Sequence, residues 1–386
     1  MLKNGWVLGM SEFVFELRYD LWRLPTFEPN LTYPVHRWFH FKEGFSRDLV
    51  EFLIKRMGLE EGNVVLDPFV GSGTTPLTCM ELGLDAIGVD ASPLMALISF
   101  AKTRLYDAEK LIAESERLKS VRFRTHDLSN VSAFVRRAFK PATLQQLLSL
   151  RDEVRGIEDR DVSAFFTLAL MSAAMRCSYV VKEGSIVKVV KRPVPELLRT
   201  FWSKVRQMID DVRKIELRSG PAEIYMGDAR EMKFVGDEAV DAVITSPPYL
   251  NKIEYTKVYE IEMELFLGRS RPNLMRSYIG LFPKSNRVPQ EAQGLPDSAV
   301  AYFVDLEQSL LEVLRVLRRG GRAAFVVSGG VYPSIVVDVD LILARIAKRL
   351  GFDVERVLAM GKRVATYERV KRIGESRESV VMLRKS

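Results

Sequence analysis

The chain has 386 residues, 47% of them hydrophobic and 28% charged, with a formal net charge of +7 at pH 7. This length supports a large core in one domain with an insertion, or in two domains, and the positive charge favours a polyanionic partner. No apolar run reaches transmembrane length, and the two cysteines predict no disulfide framework, so we expect a cytoplasmic protein without a membrane partner. Few Asn and Gln residues beside many charged ones indicate a thermophilic source.

Predicted helices and strands alternate in the first part of the chain. After an N-terminal arm, residues 1–35, an amphipathic helix is predicted over 46–57 with Ser46 as its N-cap. A short strand, a glycine-rich turn and a helix follow. A second strand over 85–90 leads to a helix that begins near Pro93, because proline favours the first helical turn.

The remainder divides into a helical segment and a resumed sheet. Helical periodicity extends over 107–119, 142–155, 161–178 and 195–217, with a hairpin at residues 183–185. Strands are predicted at 222–226, 240–245, 322–328, 353–359 and 378–384, and a helix over 305–317 ends at Gly320 and Gly321. We therefore predict an α/β fold, in which a Rossmann-like sheet formed by residues 36–104 and 220–386 is interrupted by a mainly helical insertion, residues 105–219.

A stiff corner follows the apolar run 240–245. Ser246 and Tyr249 flank two consecutive prolines, Pro247 and Pro248. Prolines lack amide donors and have a fixed φ, so the strand ends here. In an open α/β sheet, this end of a strand is where ligands bind. The free carbonyls and the aromatic ring of the corner suit a planar group with an exocyclic amine.

A glycine-rich turn, Asp-Pro-Phe-Val-Gly-Ser-Gly-Thr-Thr, occupies residues 67–75. Gly71 and Gly73 allow a ligand to approach the backbone, and the helix behind them favours an anionic group. No lysine of a P-loop is present, and Pro76 replaces the third glycine of the dinucleotide pattern, so a carboxylate fits better than a polyphosphate. Asp90, at the end of the next strand, is placed to bind ribose hydroxyls. A carboxylate together with a ribose describes S-adenosylmethionine (SAM).

With these two motifs the chain resembles the amino-methyltransferases that act on exocyclic nitrogens of nucleic-acid bases, and among them the cytosine-N4 enzymes. The resemblance covers roughly residues 33–103 and 220–386. It implies a Rossmann-like SAM-dependent methyltransferase sheet, SAM as the cofactor and a nucleic acid as the partner. No metal is required, and the three histidines form no ligand cluster with the cysteines.

The resemblance also implies residue roles. The segment His36–Ser46 is similar to the one that closes over the methionine end of SAM, and Gly227-Asp228 to the position that contacts the adenine. The expected cofactor-binding residues are Asp67, Pro68, Phe69, Gly71, Ser72, Gly73, Thr74, Asp90, Ala91, Asp228, Ala229, His36, Phe45 and Ser46. The expected catalytic residues are Ser246, Pro247, Pro248 and Tyr249. The Ser246 hydroxyl and the Pro247 carbonyl would hold the amine while Tyr249 stacks on a base that has left its helix.

Candidate nucleic-acid contacts lie in two groups of cations. The first follows the corner and consists of Arg269, Arg271 and Arg276 with Tyr278, and the second, Lys188, Lys191 and Arg192, lies beside the predicted hairpin. The first group could equally be a solvated loop, whereas for the second group a recognition element is favoured over a solvated face. The second group makes the insertion a candidate region for substrate recognition.

Three functions stay open at the level of the sequence. The first is a DNA cytosine-N4 methyltransferase, as found in restriction-modification systems, and the second is an RNA cytidine-N4 methyltransferase. The third is an inert SAM-binding or nucleic-acid-binding module, against which the intact motifs argue. Adenine-N6 enzymes share the geometry but usually carry Asp or Asn in place of Ser246, so cytosine N4 is favoured, with DNA before RNA. Carbon-5 methylation would need a thiolate, whereas Cys79 and Cys177 are typical of core residues.

Overall fold

A computed structural model describes residues 12–183, 186–250, 255–268, 288–367 and 371–386. Its strands are β1 (Phe15–Leu17), β2 (Val64–Asp67), β3 (Asp85–Asp90), β4 (Val180–Glu183), β5 (Ile186–Val189), β6 (Glu223–Met226), β7 (Val240–Thr245), β8 (Leu317–Ser328), β9 (Gly330–Val331), β10 (Val336–Val337), β11 (Phe352–Tyr367) and β12 (Lys371–Lys385). Its helices are α1 (Arg47–Met57), α2 (Thr74–Glu81), α3 (Pro93–Lys102), α4 (Ala108–Lys119), α5 (Ala133–Ala138), α6 (Pro141–Arg155), α7 (Arg160–Arg176), α8 (Leu197–Lys214), α9 (Tyr255–Val258), α10 (Glu260–Leu267), α11 (Asp297–Val316) and α12 (Val339–Leu350).

A central eight-stranded sheet has the order β1–β11–β12–β8–β7–β2–β3–β6. Strands β6, β3, β2, β7 and β8 are parallel, and β12 runs antiparallel between β8 and β11. The chain builds the sheet outward from β2 in both directions, first through β3 and β6 and later through β7 and β8. The order therefore reverses between β2 and β7, and a crevice is expected at their carboxyl ends. This topology confirms the predicted Rossmann-like α/β fold.

Helices cover both faces of the sheet, and the side chains of each strand alternate between them. On one face, α11 and α12 bury Leu66, Val243 and Phe325 together with their own apolar residues. On the other face, α1 and α2 pack on Val65 and Ile244. This two-residue alternation is the period of an extended strand, so both faces of β2 and β7 are fixed by packing. The carboxyl ends of these strands are held rigidly in consequence.

The insertion consists of α4 to α8 and the hairpin β4–β5, and its apolar residues form one cluster with α3, α10 and the segment around Trp38. Trp38 packs edge-on against Phe165 of α7, with ring centroids 5.3 Å apart. The helices and the hairpin confirm the predicted elements of this region. The division of the chain into domains stays a prediction, because the insertion shares its core with the first helices of the sheet domain.

Several elements differ from expectation. The unpredicted ones are β1 in the N-terminal arm, β9, β10, α5, α9, α10 and α12, and α11 begins at Asp297, eight residues before the predicted start. The prediction of a glycine C-cap at residues 320 and 321 was wrong, because α11 ends at Val316 and the glycines lie inside β8. A Cβ on Gly321 would lie 2.9 Å from the carbonyl oxygen of Asp241, so this glycine permits a close approach between β7 and β8. Within the described part of the chain, no helix has the length and apolarity to cross a bilayer.

Candidate active site

The glycine-rich turn and the proline corner lie side by side at the carboxyl ends of two neighbouring strands. β2 pairs in parallel with β7 through Val65 and Ala242. At the end of this ladder the Thr245 hydroxyl donates a hydrogen bond of 2.6 Å to the Asp67 carboxylate. Both residues are buried. The two motifs that the sequence singled out therefore meet at one crevice, joined by a side-chain contact.

The backbone of the glycine turn is shaped by Gly71. Its φ is +51°, a conformation that favours glycine, and a Cβ there would lie 2.9 Å from Cε1 of Phe41. The Gly71 amide donates to the Asp90 carboxylate at 2.9 Å, and the Ser92 amide donates to the same carboxylate at 2.8 Å. Asp90 thus links the turn to the end of β3, as expected for a residue at the edge of a ligand site.

Two carboxylates of this site have raised pKa values. Burial raises the pKa of Asp67 to about 6, although hydrogen bonds from Thr245, Thr75 and the Phe69 amide oppose the shift. Burial also raises the pKa of Asp90 to about 6, opposed by the two backbone amides and assisted by the charge of Asp67. The ionised forms of these two neighbouring carboxylates would be stabilised by a cation, and the sulfonium of SAM is one.

A buried cation and two hydroxyls lie behind the turn. Lys102, only 1% exposed, donates from Nζ to the Ser72 carbonyl at 2.7 Å. Burial, together with the charge of Lys204, lowers the pKa of Lys102 to about 7, against the opposing effect of Glu81. Among the described residues the hydroxyls of Ser72 and Ser99 find no partner. The turn therefore has unused hydrogen-bonding capacity and positive charge on the side where a carboxylate would bind.

The proline corner is fixed on the opposite side by β8 and β12. The Ser246 hydroxyl donates to the Val326 carbonyl at 3.1 Å. The Tyr249 hydroxyl donates to Glu378 at 3.0 Å, and Arg363 pairs with the other oxygen of that carboxylate at 3.1 Å. Because the Ser246 hydrogen is engaged, the lone pairs of its oxygen are left to accept a hydrogen bond. An exocyclic amine is a suitable donor.

The third acidic residue, Asp228, follows β6 at the same edge of the sheet. The Gly227 amide donates to the Asp90 carbonyl at 3.0 Å, which brings this loop beside the end of β3. Arg230 pairs with Asp228 at 2.7 Å and with Asp305 at 2.7 Å, and Ala229 is buried. Asp228 is therefore held in place by an arginine at the position where contact with the adenine is expected.

The segment of residues 36–46 contacts the glycine turn through Phe41, which was not among the expected cofactor-binding residues. Phe41 contacts Gly71 and packs against Tyr259, with ring centroids 6.0 Å apart. His36 instead contacts Glu81 at 3.1 Å, at the far end of α2, which is roughly 12 Å long at 1.5 Å per residue. Ser46 caps α1 through the Leu49 amide, as predicted.

These placements divide the segment into two parts. Phe41 lies over the glycine turn, whereas His36 and Ser46 anchor the segment to α2 and α1. Phe45, expected at the cofactor, is buried and accepts a hydrogen bond of 2.9 Å from Asn30 on its carbonyl. Phe41 lies in the segment His36–Ser46 that the sequence analysis singled out, but nothing in the pattern distinguished it from its aromatic neighbours.

The predicted nucleic-acid contacts divide into two sets. Arg269, Arg271, Arg276 and Tyr278 lie outside the described residues. Lys188, Lys191 and Arg192 are exposed on and just after the hairpin. Lys182 at the tip of this hairpin pairs with Glu262 at 2.5 Å and lies over the Tyr259 ring at 4.0 Å. The hairpin therefore reaches the helices that follow the proline corner.

The residues present fit SAM on three observations: the positive φ values of Gly71 and Gly73 that shape the turn, the unpartnered Ser72 hydroxyl, and the neighbouring carboxylates Asp67 and Asp90. The remaining expected positions, Pro68, Phe69, Thr74 and Ala91, lie in or beside the same turn. Fold and site together define a SAM-dependent methyltransferase.

Comparison with known proteins agrees with this assignment. The family model described as DNA methylase, N6_N4_Mtase, matches residues 15–99. The type II methyltransferase M.BsoBI of Geobacillus stearothermophilus is 25% identical over 423 residues, which cover 88% of this chain and 83% of that protein. M.AvaI of Nostoc sp. is 24% identical over 406 residues, with the same coverage. M.MjaII of Methanocaldococcus jannaschii is 41% identical over 97 residues, 25% of this chain and 18% of that protein.

These matches confirm the recognition made from the sequence. The chain is similar to DNA amino-methyltransferases over its glycine turn and to type II methyltransferases over most of its length. The prediction of a SAM-dependent methyltransferase, with SAM as the cofactor, is confirmed at this level. The thermophilic source and the cytoplasmic location stay predictions.

Proposed function

We propose that this protein transfers the methyl group of SAM to the N4 amine of cytosine in DNA, as the modification enzyme of a type II restriction-modification system. The observation that carries the proposal is the hydrogen bond of 2.6 Å between Thr245 and Asp67. It places the start of the glycine turn next to the start of the proline corner. A methyl group bound at the first therefore has a short path to an amine held at the second.

The residues of the corner suit a weakly nucleophilic amine. When bound, SAM supplies an electrophilic methyl on a sulfonium. The Ser246 oxygen, whose own hydrogen is donated to Val326, accepts one hydrogen of the amine, and the Pro247 carbonyl accepts the other. These two acceptors draw the amine out of conjugation with the ring and direct its lone pair into the crevice. Positioning of this kind is expected to supply much of the rate.

Serine at this position supports cytosine N4 over adenine N6, following the family resemblance. Cytosine carbon 5 is disfavoured on physical grounds, because its methylation needs a reactive thiolate. Cys79 is buried in α2, and burial raises the pKa of its thiol far above the ordinary value. Cys177 is also buried, at the end of α7. Neither cysteine lies at the proline corner.

Methyl-labelled SAM incubated with unmodified genomic DNA or with total RNA tests the proposal. After digestion to nucleosides, label in N4-methylcytosine from DNA is the expected result. Label in N6-methyladenine would assign the enzyme to the other amine, and label in RNA alone would overturn DNA as the substrate. No transfer to either polymer would leave a SAM-binding module without this activity.

The role of Ser246 has a separate test. Ser246→Ala should leave SAM affinity unchanged and lower kcat on the order of tenfold to a hundredfold, the effect of one hydrogen bond made in the transition state. Ser219→Ala is the matched control, since it removes a similar hydroxyl-to-carbonyl bond, to Leu84, at the opposite edge of the sheet. Equal turnover in the wild type and Ser246→Ala would contradict the role of this serine.

A further inference from the structure

A basic cavity of about 400 Å³ lies between α7 and α8, outside the active site. Three cationic side chains line it, those of Arg176, Arg199 and Lys204. The hydroxyl groups of Ser172, Thr200 and Ser203 and the carboxylate of Glu196 complete the polar part of the lining. The excess of positive charge, together with hydroxyl donors, is the composition that binds a phosphate.

The cations of this cavity lack anionic partners in the described part of the chain. Arg176 and Arg199 are exposed, and neither makes an ion pair or a hydrogen bond there. Lys204 donates to two neutral acceptors, the Arg37 carbonyl at 3.3 Å and the Gln207 side chain at 3.1 Å. A bound anion would therefore compensate the positive charge that the Glu196 carboxylate of the lining leaves in excess.

The local electrostatics agree with an anion site. Burial lowers the pKa of Lys204 to about 8, and the positive charges of Arg37 and Arg176 contribute, against the opposing effect of Asp211. Asp211 is itself engaged by the Arg37 guanidinium and the Trp38 indole. The cavity thus carries a positive potential that the surrounding carboxylate does not cancel.

The hairpin β4–β5 extends from near this cavity to the helices that follow the proline corner. At the base of the hairpin, next to the start of α8, Arg192 donates to the Val180 carbonyl at 3.3 Å. At its tip, Lys182 contacts Tyr259, in the helical region that follows the corner. Strands of four residues separate tip from base by roughly 13 Å, at about 3.3 Å per residue.

We propose that the cavity between α7 and α8 binds a backbone phosphate of the DNA. The inference rests on the proposed DNA substrate. A phosphate contact carries no sequence information, so the cavity fixes the position of the duplex while other groups read the bases. The exposed cations Lys191 and Arg192 extend the same surface along the hairpin.

Arg176→Ala, Arg199→Ala and the double variant test this assignment by DNA affinity at increasing salt. Each lost phosphate contact should reduce the slope of log affinity against log salt by about 1. Affinity should fall roughly tenfold per arginine at low salt, equally for target and unrelated duplexes. SAM affinity and kcat at saturating DNA should stay unchanged, and Arg199→Lys should keep the slope because it keeps the charge.

Arg319→Ala is the matched control, because this exposed arginine lies at the start of β8, on the edge opposite to the active site. An unchanged slope in the double variant would overturn the inference, and so would a loss confined to the target sequence. Inorganic phosphate should raise the Tm of the wild type more than that of the double variant. If phosphate does so while DNA affinity is the same in both proteins, the cavity binds free phosphate instead. A wild type that neither binds nor methylates DNA would refute the proposed function, and this inference with it.

Discussion

Replacing Asp67 by asparagine should stabilise the fold while it weakens the active site. The carboxyl is 1% exposed, and its pKa is raised by burial from the ordinary 3.8 to about 6. In Asp67→Asn, the amide oxygen can still accept from Thr245 and from the Phe69 amide, and the new amino group can donate to Thr75. The substitution therefore removes a buried charge and keeps the hydrogen bonds.

The magnitude follows from the two pKa values. A carboxyl with a raised pKa in the folded state gives full stability below the unfolded value of 3.8, and this stability is lost as the pH rises through about 6. The loss is about 2 kcal/mol at pH 5 and about 3 kcal/mol at pH 8. Asp67→Asn should escape this loss, so its free energy of unfolding should exceed that of the wild type by more at pH 8 than at pH 5.

Urea unfolding at both pH values measures this difference. Asp241→Asn is the control, because Asp241 lies at the other end of β7, accepts from the Val64 amide at 2.6 Å and pairs with Arg318. Breaking that pair should lower stability at both pH values. A lower stability of Asp67→Asn at pH 8, or a gain that does not change with pH, would refute the reasoning. SAM affinity should fall in Asp67→Asn, since a negative charge near the sulfonium is lost.

Two further predictions concern the cofactor. Gly71→Ala should weaken SAM binding several-fold, because a Cβ would lie 2.9 Å from Phe41. Gly62→Ala is the control, because Gly62 also has a positive φ, +81°, but faces open space, and calorimetry should find its SAM affinity unaltered. Equal effects in both variants would argue against the contact with Phe41 as the cause. SAM affinity should also fall as the pH drops below about 6, because a cation favours the ionised forms of Asp67 and Asp90. Asp90→Asn should make this pH profile shallower, whereas a flat profile in the wild type would exclude the linkage.

The elements at the active site were predictable because their local sequence permits few conformations. Two prolines stop β7 whatever surrounds them, and the glycine turn before α2 requires backbone angles that other residues avoid. The adjacency of the two motifs followed from sheet topology, since parallel strands bring their carboxyl ends to one edge. This is why Asp67, Asp90 and the corner could be assigned to one site from the sequence.

The features that sequence reasoning missed depend on distant partners. β1 has three residues and exists because it pairs with β11, more than 300 positions later. α12 follows a run of β-branched residues that is typical of a strand. Only Val336 and Val337 of this run form a strand, β10. Gly321 accommodates the backbone of β7 and not the end of a helix. Among the aromatic residues of its segment, Phe41 is distinguished by its contact with Gly71, which the sequence pattern does not show.

The pairing of β2 and β7 fixes the glycine turn and the proline corner relative to each other, and the insertion lies outside this pairing. In the proposed function, the methyl donor binds at the carboxyl end of β2 and the acceptor amine at the carboxyl end of β7. Because these strands are paired, the distance between the two groups is set by the sheet. A change in the insertion, which we propose to contact the DNA backbone, therefore need not alter the arrangement of the two motifs that carry the chemistry.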